Sequence, residues 1–246
     1  MATVRGVFWP HGNTELFFQS EQGIFDAEGG DGYHGADQLI TFGRNLSFMA
    51  DEEFMQSFIR HAVHGTEKST IWRKAVHYWA GRHCINLEGS FVECGTYTGT
   101  TVHIIFDALN FDIYDKTYWL YDIFDFKDGD KHQKLGSLGS DLYGKVVQRF
   151  SFTDKIKIIQ GYVPDSFKKG TPDKISLLHI DFNNPDAELA ALEELWPKVV
   201  QGGIVLLDDF GWMAYSAQTI VELDFFKKRG YSILELPTGQ GLVIKR

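Results

Sequence analysis

The chain has 246 residues, 43% hydrophobic and 23% charged, a globular balance that excludes a disordered or fibrous protein and is long enough to bury a sizeable core. A formal net charge of −9 argues against nucleic acid or an anionic membrane as a bulk partner. Two cysteines, Cys84 and Cys94, are too few for a disulfide scaffold, and no uncharged apolar run reaches the ~18 residues of a membrane span.

Met1 to Pro10 carries no long apolar stretch of the signal-peptide kind, so the expected location is the cytoplasm. Residues 1–35 mix Gly, His and aromatics without a clear period, and Gly29-Gly30-Asp31-Gly32 reads as a turn. Residues 51–64 and 66–85 read as helices, with Trp72, Ala75, Val76, Trp79 and Ala80 on one helical face. From residue 89 strands and helices alternate. Strands are expected over 90–94, 118–123, 155–160, 174–181 and 203–207, and helices over 100–109, 186–199 and 217–229. Residues 231–236 and 242–245 form a last pair, antiparallel across a turn with Pro237, Gly239 and Gly241. Such alternation predicts an α/β fold: a doubly wound, mostly parallel, seven-stranded sheet closed by a C-terminal antiparallel hairpin. Residues 1–88 are expected as an N-terminal helical extension and 89–246 as the α/β domain.

Open α/β sheets bind ligands at the carboxyl ends of their strands. The first strand end carries Glu93-Cys94-Gly95-Thr96-Tyr97-Thr98-Gly99-Thr100-Thr101. Gly95 and Gly99 let the backbone turn sharply, and the helix that follows aims free N–H groups at the same place. The bland alternative is a tight strand–helix turn. The spacing is not the Gly-x-Gly-x-x-Gly of dinucleotide sites. The second strand ends in Asp122, an acid placed to accept hydrogen bonds from ribose hydroxyls. A carboxylate beside the loop, Glu93, suits a cationic ligand better than a pyrophosphate; alone, it is equally a charge partner for a helix N-terminus. S-adenosylmethionine, with an ammonium, a sulfonium and a ribose, matches Glu93, the loop and Asp122 in order.

The fourth and fifth strands end in Asp181 and in Asp208-Asp209. Strands in a sheet lie about 4.8 Å apart, so these acids are expected to converge, and clustered carboxylates repel unless protons or a cation compensate. A hard divalent ion such as Mg²⁺ is the simplest compensation. The alternative is that one aspartate caps a turn and only two meet. His179 shares a strand face with Asp181 and reads equally as a base or as a satisfied buried histidine, whereas His103 reads as structural. His132 lies in a long Gly-, Asp- and Lys-rich segment, 125–145, that reads as a lid or an exposed loop. Trp212 reads as a core anchor for the last helix or, with Phe210 and Tyr215, as a stacking surface.

Together these residues resemble the macrocin O-methyltransferase family, metal-dependent class I S-adenosylmethionine methyltransferases acting on sugar hydroxyls of glycosylated natural products. The resemblance rests on residues 91–99, 120–124, 179–181 and 202–212, and covers roughly 60–246. It implies that Glu93, Gly95, Gly99 and Asp122 bind S-adenosylmethionine and that Asp181, Asp208 and Asp209 bind Mg²⁺ or another divalent cation. Thr96, Tyr97 and Thr100 of the same loop, and Tyr162 past the third strand, complete the expected donor site. Asp181 and His179 are the expected catalytic residues. Some relatives place a second acid two residues after the first metal aspartate as general base; here that position is Asn183, whose amide takes no proton at neutral pH.

The expected reaction is O-methylation of a small molecule with neighbouring hydroxyls, a sugar first and a catechol-type aromatic second. Neither nucleic acid nor a membrane is expected as a partner, while a second copy of the chain is a candidate one. A nicotinamide oxidoreductase would need the missing glycine fingerprint and leaves the three aspartates unexplained. A non-catalytic S-adenosylmethionine-binding protein would keep the same pocket and is separated by turnover alone.

Overall fold

The computed structural model describes residues 4–5, 13–127, 136, 139 and 141–246; His132 lies outside them. The chain opens with more order than its irregular sequence suggests. Strand β1 (Val4–Arg5), helix α1 (Thr14–Glu28), β2 (His34–Ala36) and β3 (Leu39–Thr41) come first, and the three strands pair as a small sheet in that order. Strands of two or three residues are too short to show a period of two. Asn13 caps α1 by accepting from Leu16 N at 2.9 Å, and the expected glycine turn follows, with Gly29 and Gly30 both at φ +74°.

Helices α2 (Glu52–His61), α3 (Gly65–Lys68) and α4 (Ile71–Cys84) follow. The single helix expected over 66–85 is broken at Ser69-Thr70, where both hydroxyls bond back to carbonyls, Ser69 to Thr66 and Thr70 to Glu67, in competition with the helical ladder. Asp37, in the turn between β2 and β3, then accepts from Trp72 N at 3.0 Å and Arg73 N at 3.1 Å. A carboxylate from the small sheet thus caps α4 and fixes its position.

The remaining elements are β4 (Ser90–Cys94), α5 (Thr100–Ala108), β5 (Tyr118–Asp122), α6 (Leu142–Arg149), β6 (Ile156–Gln160), β7 (Ile175–Ile180), α7 (Pro185–Leu195), β8 (Val199–Leu207), α8 (Ser216–Lys227), β9 (Leu234–Glu235) and β10 (Gly241–Ile244). They build a seven-stranded sheet in the order β6-β5-β4-β7-β8-β10-β9, parallel except for β10, which runs antiparallel to both neighbours. This is the expected doubly wound sheet with its closing hairpin. Several boundaries differ, among them the strand expected over 203–207, which already starts at Val199. The segment 125–145 ends in helix, since α6 starts at Leu142. The helix expected to reach Val199 stops at Leu195, because Pro197 falls in the next turn and Val199 already opens β8. The strand expected over 231–236 keeps two residues, Leu234 and Glu235, on the outer edge.

Two apolar cores flank the sheet. One joins Phe54, Phe58, Ile71 and Ala75 of α2 and α4 to Val102 and Ile105 of α5 and to Phe91 and Leu120 of the sheet. The other packs Leu192, Leu195 and Phe226 of α7 and α8 against Val92, Leu178 and Val205. The strand order reverses between β4 and β7, which is where a crevice opens in such sheets. No helix among the described residues is long and apolar enough to cross a membrane.

Candidate active site

The register of the sheet brings the predicted residues together. Asp181 N bonds Cys94 O at 2.7 Å and Asp208 N bonds Ile180 O at 3.0 Å, so the ends of β4, β7 and β8 are level. Gly95 has φ +91°, and a Cβ there would lie 1.8 Å from the carbonyl oxygen of Asp181. Only glycine fits where these two strand ends cross. Gly99, at φ +75°, caps α5 with no side-chain hydrogen bond and leaves the first amides of that helix unopposed by a cap. Tyr97 N and Phe124 N donate to the two oxygens of Asp122, at 2.7 and 2.6 Å.

A cavity of about 510 Å³ lies over this switch point. Its walls include Glu93, Gly95, Thr96, Tyr97 and Thr100 from the loop, and His179, Asp181, Asp208 and Asp209 from the two aspartate strands. Gly99, Asp122 and Tyr162 are not on its wall; Gly99 caps α5, Asp122 sits beneath the loop and Tyr162 is 49% exposed.

Oxygens of Asp181, Asp208 and Asp209 approach within 4.8 Å of one another. Burial and the neighbouring acids push the Asp181 carboxyl well above the usual carboxylate range, and Asp209 is pushed up to about 6 by burial and Asp208. Asp208 goes the other way: burial alone would raise it, but the Arg73 guanidinium and then His179 hold it well below that range. The donor set is all oxygen, which suits a hard divalent ion. The Asn183 amide donates to Asp181 Oδ1 at 3.2 Å, and its own oxygen is buried without a hydrogen-bond partner. The raised carboxyl of Asp181, beside the spare oxygen of Asn183, fits such an ion.

The sequence missed one side of the site. Arg73, Lys74 and His77 of α4 are buried and line the same cavity. Arg73 Nη1 bridges Asp208 Oδ2 at 2.5 Å and Asp209 Oδ1 at 3.2 Å, and its guanidinium lies 4.8 Å from the centre of the Trp212 ring. Trp212 is therefore a lid on this ion pair, its indole N–H donating to Thr238 O at 3.3 Å. Gln240 also donates to Asp208, at 2.9 Å. The signal in the sequence was a pair of cations with a histidine one turn on, opposite the Trp/Ala stripe, but nothing in it said which face would be buried.

His179 lies 3.3 Å from Glu93 Oε2 and 3.4 Å from Asp208 Oδ1. Burial would lower its pKa, but these two carboxylates overturn that and bring it up to about 10. The ring thus stands between the two carboxylates as their charge partner. Burial, and then the neighbouring His179, push the His77 pKa well below the ordinary imidazole value. His103 is outside the cavity, its ring stacked on His61 at 3.7 Å.

Residues 92–210 match a family described as a methyltransferase domain. The demethyldecarbamoylnovobiocin O-methyltransferase of Streptomyces niveus is 26% identical over 141 residues, covering 51% of this chain and 54% of that protein. The chain thus spans about half the length of the curated relative it matches. Among solved structures, the O-methyltransferase NovP superposes with a TM-score of 0.61 at 17% identity over 77% of this chain and 88% of that one. CalS11, a TDP-rhamnose 3'-O-methyltransferase of calicheamicin biosynthesis, gives 0.54 at 14% identity over 83% and 96%. The switch-point cavity therefore lies in a fold shared with these enzymes: the α/β fold of the class I methyltransferases.

Proposed function

We propose that this chain transfers a methyl group from S-adenosylmethionine to a hydroxyl, most simply of a sugar on a natural product or glycan, with a divalent cation held by Asp181, Asp208 and Asp209. One observation carries this: the glycine turn and the three aspartates open onto a single cavity at the switch point of the sheet. The names of two relatives, one for novobiocin and one for TDP-rhamnose, support a natural-product or sugar acceptor.

In this reading Gly95, Thr96, Tyr97, Gly99 and Thr100 form the donor loop, and Glu93 faces the cationic end of the donor. Asp122 holds the loop through Tyr97 N and Phe124 N, and as the acid at the end of the second strand it is the residue for the ribose hydroxyls. Tyr162 flanks the nucleoside. Asp181 faces the acceptor, and His179 fixes Glu93 and Asp208 in their places. A bound cation supplies Lewis acidity that lowers the pKa of a coordinated hydroxyl. The acceptor oxygen attacks the methyl carbon as the carbon–sulfur bond breaks, its electron pair stays on sulfur as S-adenosylhomocysteine, and the hydroxyl proton leaves to water in the open cavity, so no covalent enzyme intermediate is needed. Asn183 orients Asp181 and takes no proton.

The test compares a vicinal-diol sugar with its two single-deoxy analogues, with and without chelator. Loss of turnover in chelator, and slow reaction of only the analogue that keeps the methylated hydroxyl, support the proposal. Equal rates for all three with chelator present would leave the metal and the diol without a role.

A further inference from the structure

Lys74 lies beside the aspartate cluster without bonding to it. It is 8% exposed, lies on the cavity wall, and makes no ion pair with a carboxylate among the described residues, while Asp208, Asp37 and Glu67 lie near enough to act on its charge. Its ammonium donates to Thr70 Oγ1, which leaves two of three donor positions open. The neighbouring charges are spoken for. Arg73 bridges Asp208 and Asp209, while Glu67 accepts from Thr100 Oγ1, Val63 N and His64 N. Asp37 caps α4.

Contacts place Lys74 at one end of the cavity. Thr70 Oγ1 donates to the Glu67 carbonyl at 3.1 Å, and Glu67 Oε1 accepts from Thr100, the first residue of α5. Lys74 is thereby tied to the N-terminus of that nine-residue helix, whose cap is a glycine without a side chain. A second observation lies in the same turn: Thr96, 4% exposed and on the cavity wall, has a buried hydroxyl with no hydrogen-bond partner. A buried cation, an orphaned hydroxyl and a helix N-terminus form an anion site.

We infer that Lys74 and Thr96 bind the α-carboxylate at the amino-acid end of the methyl donor, an inference that rests on the proposed use of S-adenosylmethionine. That carboxylate is the anion carried by a ligand seated on the glycine loop. It also gives the N-terminal helices a role in the reaction, since Lys74 comes from α4 and not from the sheet. A phosphate on a nucleotide-linked acceptor would seek the same charge, so the test separates the two.

Calorimetry of three ligands decides it: S-adenosylhomocysteine, 5'-methylthioadenosine, which lacks the amino-acid end, and thymidine diphosphate. Lys74→Met should weaken S-adenosylhomocysteine by about ten- to a hundredfold, the scale of a hydrogen bond to a charged group, and leave the other two unchanged. Thr96→Val should weaken S-adenosylhomocysteine alone, by about threefold or more. Lys74→Arg, which keeps the charge, should recover most of the loss and serves as the reference if Lys74→Met does not fold. Equal affinity of wild type and Lys74→Met for S-adenosylhomocysteine overturns this inference alone. So does a loss confined to thymidine diphosphate, or a loss shared by 5'-methylthioadenosine. A wild type that binds neither adenosine ligand overturns the proposed function and this inference with it.

Discussion

Gly95 shows how single atoms set the site. Its φ of +91° and the 1.8 Å gap between a would-be Cβ and the Asp181 carbonyl leave no room for any side chain. Gly95→Ala should cost about 2 kcal/mol or more of stability, read as a lower urea midpoint; an unchanged midpoint would mean the strand ends separate freely. Asp122 works through both oxygens on backbone amides. Asp122→Ala should weaken S-adenosylmethionine by about 1.5–3 kcal/mol in calorimetry, and unaltered binding would remove it from the donor site. Mg²⁺ should raise the melting temperature of the wild type by about 2–4 °C and that of Asp181→Asn far less. An equal rise in both would place the ion elsewhere. Glycines and acids at strand ends were legible because each follows a strand whose pattern is visible. Arg73 and Lys74 were not, because burial of a cation is decided by partners 135 residues away, as in the contact of Arg73 with Asp208.

At the scale of elements, α4 is the informative case. Its sequence offers a stripe of Trp72, Ala75, Val76, Trp79 and Ala80, of which Ala75 and Ala80 are buried and Trp79 is 53% exposed, while Arg73, Lys74, His77 and Gly81 on the other side are buried too. Helical periodicity reports an apolar face. It does not report that a helix sits over a charged cavity, where the polar face is covered as well. Gly81 packs so closely that an added Cβ would meet Leu109 Cδ1 at 2.9 Å. Trp79→Ala should therefore change stability by only about 0.5–1 kcal/mol, whereas Gly81→Val should destabilise by more, both read by denaturant titration. The reverse order would restore the stripe as the buried face. The core strands and α5 were legible from their runs of β-branched and aromatic residues. The opening strands and β9 were not, since two or three residues paired on an edge carry no period.

At the scale of the whole molecule, buried acids make stability depend on pH and on metal. Glu188 and Glu222 meet between α7 and α8, with Gln218 Nε2 donating to Glu188 Oε1 at 2.6 Å. Burial pushes Glu222 up to about 7 from an ordinary value of 4.5. The native state then holds more protons than the unfolded chain between those values, so this contribution is full at low pH and is lost as pH rises through about 7. Glu222→Gln should stabilise the protein by about 1–3 kcal/mol at pH 8 and by less at pH 5; equal gains at both would show that the carboxyl ionises normally. At this scale the mostly parallel sheet, its closing hairpin and the acids along its edge were readable from the alternation of elements and from the strand ends, while the strand order and the switch point came with the fold. The helical wall opposite them required the fold. The most direct test of the whole account is incubation with methyl-labelled S-adenosylmethionine and a panel of sugars bearing vicinal hydroxyls, with and without Mg²⁺, followed by mass spectrometry. Label is expected on a sugar oxygen only when the cation is present, and none with Asp181→Asn. Label on a nitrogen or carbon acceptor, or full O-methylation in excess chelator, would contradict it.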